Sequence, residues 1–125
     1  MFETEEQKER IILVAVATAD GDDTEQSLDE LEELGQTAGA VTVAKVIQNR
    51  EKVHAGTYVG KGKIEEIKNL AISLDADAVV CDDELSPAQY HNLQDALEIK
   101  VIDRTVMILD IFALSLIHIS EPTRQ

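Results

Sequence analysis

Tryptophan is absent from this chain, aromatic residues make up 3% of it, and it has one cysteine and two prolines. A single Cys cannot close an internal disulfide, which removes the small disulfide-stapled secreted folds. No apolar run reaches the roughly 18–20 residues that a bilayer-spanning helix requires, so no membrane partner is expected. Basic residues are scarce as well: 11 against 25 acidic ones, a formal net charge of −14. Charge of that sign repels phosphate and disfavours broad, non-specific nucleic-acid binding. The opening MFETEEQKER is acidic, the opposite of a signal or transit peptide, and a cytoplasmic location is the expectation. At 44% apolar residues the chain is too hydrophobic for a disordered acidic tail.

What is present has a regular order. Arg10–Val16 (RIILVAV) is a continuous β-branched run, suited to a strand buried on both faces. Leu28, Leu31 and Leu34 then recur at helical spacing with Asp29, Glu30, Glu32 and Glu33 around them. Asp23 or Thr24 is the expected N-cap, Gly35 a weak point and Gly39 the stop. Val41–Ile47 predicts a second strand with Val41 and Val43 on one face, Thr42 and Ala44 on the other. A polar loop over 48–57 and a short stub at Tyr58-Val59 lead to a second helix with Ile64, Ile67, Leu70, Ala71 and Leu74 inward. Ala78–Cys81 reads as a third strand. Ser86-Pro87 opens a third helix to about Leu97, with Tyr90, Leu93 and Leu97 inward. Lys100–Ile102 is a fourth strand, and VMILDIFA after it begins another helix. Strands alternating with helices predict an α/β sandwich with a small parallel sheet, flavodoxin-like or Rossmann-like.

Two stretches could carry chemistry. Gly56–Lys63 (GTYVGKGK) is one residue short of a Walker A loop and has Gly62 where that loop needs a hydroxyl. What remains is a helix N-terminus flanked by lysines, which can attract an anion. Tyr58, Gly60, Lys61, Gly62 and Lys63 are therefore the candidate nucleotide or anion site, against the plainer reading of a loop-to-helix turn with solvated lysines. Asp20, Asp22 and Asp23 follow the first strand, and Asp82, Asp83 and Glu84 follow the third. In an open parallel sheet these ends form the ligand edge. Asp20, Asp82 and Asp83 are thus a weak alternative metal set, as in a stand-alone receiver-like, Mg²⁺-dependent signalling domain. A receiver's lysine after a fifth strand is missing, and helix caps are the plainer reading. Cys81 reads as a core residue. His54, His91 and Cys81 show no metal-ligand spacing, so no metal site and no catalytic residue is assigned.

The charge is unevenly spread. Residues 45–68 hold six bases (Lys45, Arg50, Lys52, Lys61, Lys63, Lys68) against three acids, between two strongly acidic flanks. A polyanion contact is possible there, though with Tyr58 as its one aromatic it would be weak unaided.

Four blocks in this order and spacing, LDELEEL, TYVGKGKIEEI, DDELSPAQYHNLQDAL and VIDRTVMILDIFA, resemble the N-terminal domain of the HflX family of ribosome-associated GTPases. The resemblance runs from about Arg10 to Ala113. It implies a parent protein that binds and hydrolyses GTP with Mg²⁺ and acts in splitting or rescuing ribosomes, with the large subunit as partner. The C-terminal GTPase domain that would carry those residues is missing here, so this piece is expected to need no cofactor and to be no enzyme. An N-terminal domain that itself binds adenine nucleotide would, by the same resemblance, use the TYVGKGK turn. Leu114–Gln125 (LSLIHISEPTRQ) resembles translated sequencing-library adapter and is read as a non-native tail. The expected organisation is an acidic segment at 1–9, an α/β domain at 10–113 that is incomplete at its end, and that tail at 114–125.

Overall fold

A computed structural model describes residues 8–17, 23–49 and 55–109. The assigned segments at 1–7 and 114–125, and Asp20 and Asp22, lie outside the described residues. The elements are β1 (Glu9–Ala17), α1 (Thr24–Thr37), β2 (Ala40–Asn49), α2 (Lys61–Leu74), β3 (Ala78–Cys81), α3 (Pro87–Leu97) and β4 (Lys100–Asp103), followed by a helical turn over 104–109. All pairings are parallel, and the strand order is β2-β1-β3-β4. That order begins the flavodoxin-like arrangement rather than the Rossmann-like one and places the switch point between β1 and β3.

The central strand behaves as its sequence requires. Ile11 to Val16 are all buried because helices cover both faces. Ile12, Val14, Val16, Val79 and Val101 pack under Ile67 and Ala71 of α2 and Leu93 and Leu97 of α3. Ile11, Leu13, Ala15 and Val80 pack under Leu28 and Leu31 of α1, together with Met107. Gly35, expected to weaken α1, is instead a buried close approach. A Cβ there would lie 3.0 Å from Ile11 Cδ1. Gly39 stops α1 as expected, in the left-handed region at φ 91°. Ser86 and Gln89 form a reciprocal capping box on α3.

The strict alternation expected of β2 does not hold. The β1–β2 register shifts between Ile11 and Ile12, so that Thr42 and Ala44 are successive partners and Val43 is extra. This bulge turns Val43 and Ala44 to the same face, both against the α2/α3 core, and reverses the phase of every later residue. Lys45 consequently faces α1, where its Nζ lies 2.8 Å from Glu32 and 2.9 Å from Asp29. Those two carboxylates, Glu32 first, push its pKa up to about 12. The basic stretch read from the sequence is therefore split: Lys45 serves the α1 face, while Lys61, Lys63 and Lys68 ride on α2.

Candidate functional site

The ends of β3 and β4, with the first turn of α1, form the C-terminal edge of the sheet. Asp82 follows β3 directly, its amide donating to Val14 O at 2.8 Å. One carboxylate oxygen accepts from Ser27 Oγ at 2.8 Å and the other from Arg104 Nη1 at 2.8 Å. Arg104 also donates to Ser27 Oγ at 2.8 Å and reaches Glu30 at 3.2 Å. Asp83 accepts the Tyr58 hydroxyl at 2.7 Å. Asp103, 2% exposed, accepts the amides of Leu85 at 2.8 Å and Val106 at 2.9 Å. One carboxylate thus holds the β3–α3 loop and N-caps the turn that leaves β4.

Asp82 and Asp83, two of the acids singled out for Mg²⁺, are accordingly turned toward protein partners. Among the described residues no group of three His, Cys, Asp or Glu side chains is placed to hold a metal ion. Asp82 is raised above the ordinary aspartate range, chiefly by burial, while the Ser27 hydrogen bond and the Arg104 charge pull it down. Cys81 is fully buried and its thiol is pushed up by desolvation and by Asp103, which suits a core residue and not a nucleophile.

An acid whose pKa is raised by folding binds its proton more readily in the folded chain. Asp82 therefore favours folding as the pH falls through its folded pKa toward the ordinary aspartate value of about 3.9, and opposes it above. Relief of the −14 net charge acts in the same direction. As the pH falls toward the ordinary aspartate value of about 3.9, the Asp82 contribution is expected to raise the melting temperature, and Asp82→Asn should flatten that rise. A melting temperature that drops steadily over this range would contradict the assignment.

The residues of the candidate anion turn separate into two groups. Tyr58 is 1% exposed, in the left-handed region at φ 72°, with its ring in the α2/α3 core. Burial and the bond to Asp83 push its hydroxyl far up. It is a buried anchor for the loop. Gly60 is the N-cap of α2 at φ −74°, with its amide given to Gln48 Oε1 at 2.8 Å. Gly62 sits in the helix with open space around it. Neither glycine is demanded by the backbone. The residue in this turn with positive φ is Tyr58, which sequence patterning gave no reason to suspect. Lys63 pairs with Glu66 at 3.0 Å. Lys61 has no carboxylate partner among the described residues and lines a groove of about 430 Å³ with Thr57, Ile64, Glu65, Lys68 and Ala96. Sequence reasoning missed Arg104, Asp103 and Ser27. A signal for Arg104 existed, as a lone arginine in an acidic half, but its partners lie 22 and 77 positions away.

The GTP-binding GTPase N-terminal family model matches residues 25–113. A GTPase HflX from Lacrimispora saccharolytica is 66% identical over 113 residues, covering 90% of this chain and 27% of the relative. The Escherichia coli GTPase HflX is 38% identical over 90% of this chain and 26% of its own length. The chain therefore spans about a quarter of the length of these relatives. Among solved structures, the SsGBP–GDP complex superposes with a TM-score of 0.62 at 20% identity, covering 85% of this chain and 29% of that one. A GTP-binding protein from Sulfolobus solfataricus in complex with GDP gives 0.57 at 18% identity, over 82% and 30%. At that identity the likeness is one of fold.

Proposed function

The chain belongs to the GTP-binding GTPase N-terminal family, as the amino-terminal part of an HflX-type GTPase, and from that premise we propose that it is an interaction and regulatory module that does no chemistry itself. The observation that carries this reading is that the acids described at the sheet edge are already paired within the protein. At the switch point, where this type of fold ordinarily takes its ligand, Asp82 is spent on Ser27 and Arg104, and Asp83 beside it on Tyr58. In the proposal, GTP and Mg²⁺ are held by the separate GTPase domain, and the module's partners are that domain and the large ribosomal subunit. The protein works in the cytoplasm. With millimolar GTP and Mg²⁺, this chain is expected to release phosphate no faster than the buffer blank, while a parent-length protein turns over. Turnover by the chain itself, surviving repurification, would overturn the division of roles.

A second reading is favoured by one feature, Lys61 at the start of α2 beside the groove, which has no carboxylate partner among the described residues. Helix N-terminal amides plus an unneutralised ammonium are an anion-attracting combination, and Lys63 adds a second charge. Tyr58, Gly60 and Gly62 would then shape the turn without touching the anion through their side chains. ATP or GTP at ten times its dissociation constant would stabilise the chain by about 1.4 kcal/mol, several degrees of melting temperature. Lys61→Ala combined with Lys63→Ala should abolish the shift. No shift in the unsubstituted chain at millimolar nucleotide would end this reading.

A further inference from the structure

The outward face of α2 is electrically balanced, on a chain whose net charge is −14. Lys61, Glu65, Lys68 and Ile72 recur at i, i+4, i+7 and i+11 and so form one stripe along the helix. Ile72, at 72% exposure, is the most exposed large apolar side chain among the described residues. Beside the stripe runs the α2/α3 groove, with Ile64 and Ala96 as its apolar lining and Thr57 and Lys61 near the start of α2. Lys61 and Lys68 stand against Glu65 and Glu98, and Lys63 is paired with Glu66. At 3.8 Å, Lys68 and Glu98 are at the outer limit of an ion pair, so this ammonium can serve a second carboxylate. By contrast, α1 carries five acids and α3 one acid, neither with a lysine or arginine.

We propose that this face docks a second copy of the chain, α2 against α2, in an antiparallel contact with two-fold symmetry. In such a contact every pairing occurs twice, once in each direction. With the axis midway between Glu65 and Lys68, Glu65 of each copy opposes Lys68 of the other. The same register sets Ile72 of each copy against Lys61 of the other, where it packs on the lysine stem and on Ile64 at the end of the groove. The Lys61 ammonium then lies beside the C-terminal turn of the other copy's α2, whose last carbonyls carry partial negative charge. The order cation, anion, cation, apolar is thus its own complement when reversed. Charge selects this occupant: an approach through α1 would bring five acids against five, whereas here each charge meets its opposite. The contact is a single helix pair about 21 Å long. That is small beside a standard interface of about 800 Å² per partner, so the dimer is transient, with a dissociation constant on the order of 0.1 mM.

Sedimentation equilibrium of the full chain from about 10 µM to about 1 mM tests this. At about 0.15 M salt the screening length of about 8 Å removes the long-range repulsion between acidic copies and spares contacts of a few ångströms. The unsubstituted chain should pass from monomer toward dimer over that range. Ile72→Asp, at a side chain outside the core, should weaken the dimer about tenfold or more and move the melting temperature by no more than about 3 °C. Glu65→Lys and Lys68→Glu, each alone, set like charges at both symmetric contacts and should weaken it similarly. Mixed one to one, these two variants should dimerise again, because each contact then holds one lysine and one glutamate. A structural role for either residue within its own copy would not produce that recovery. A chain that stays monomeric to about 1 mM would overturn the proposal. So would a dimer that survives Ile72→Asp and both charge reversals, or a mixture that fails to recover. Dimerisation removed by Ile108→Asp with Leu109→Asp, and untouched by the α2 changes, would place the contact on the exposed turn after β4 and overturn it likewise.

Discussion

Asp103→Ala is expected to lower the unfolding free energy by about 3 kcal/mol, the sum of an N-cap worth about 1 and a charge-assisted bond to a buried loop amide worth about 2. The side chain is 2% exposed and accepts two backbone amides that belong to different elements, Leu85 before α3 and Val106 in the turn after β4. Alanine leaves both donors without an acceptor, and Leu85 is itself buried, so water does not replace the lost bond freely. For a domain of this size 3 kcal/mol corresponds to roughly 12–24 °C in melting temperature. Asp103→Asn keeps one good acceptor and should lose clearly less. Equal loss for Ala and Asn, by urea midpoint at unchanged slope, would show that the charge and not the two bonds matters.

Tyr58→Ala is the larger core deletion, with an expected cost of about 4 kcal/mol, in the range for removing a buried aromatic ring. The ring lies in the α2/α3 core at 1% exposure, and it fixes the loop into α2 by its bond to Asp83. Tyr58→Phe keeps the ring and forfeits that one bond, about 1 kcal/mol. The backbone adds a third arm to the test. At φ 72° a non-glycine residue is strained by about 1 kcal/mol or more. Tyr58→Gly should therefore be less damaging than Tyr58→Ala, the reverse of the usual order for a helix or strand. Ala outperforming Gly would mean that the left-handed backbone is not retained in solution.

Much of the fold was legible before any coordinates. The β-branched run at Arg10–Val16, the Ser86-Pro87 helix start and the Gly39 stop rest on local stereochemistry, and each lies where the pattern put it. The candidate site was less legible. The eye is drawn to the glycines of GTYVGKGK, yet Gly60 and Gly62 hold ordinary backbone angles or open space. The strained, buried residue of this turn is Tyr58, two positions before Gly60. Glycine content signals permission for a conformation, not its use.

The sequence by itself determined the order of strands and helices, the parallel α/β class, and the family through four spaced blocks, because propensity, periodicity and capping act over a few residues. The tertiary structure alone decided three things. It chose the β2-β1-β3-β4 order, which no local pattern encodes because both candidate orders share the same succession of elements. It placed a bulge at Val43, which reversed the phase of β2 and gave Lys45 to the acids of α1, dividing what looked like one basic region. It also brought Arg104 to Asp82 and Ser27 at the end of the sheet, across 22 and 77 residues of chain. Such pairings depend on which strand lies beside which, and on how a register slips by one residue. Both are settled by packing two faces of a sheet at once.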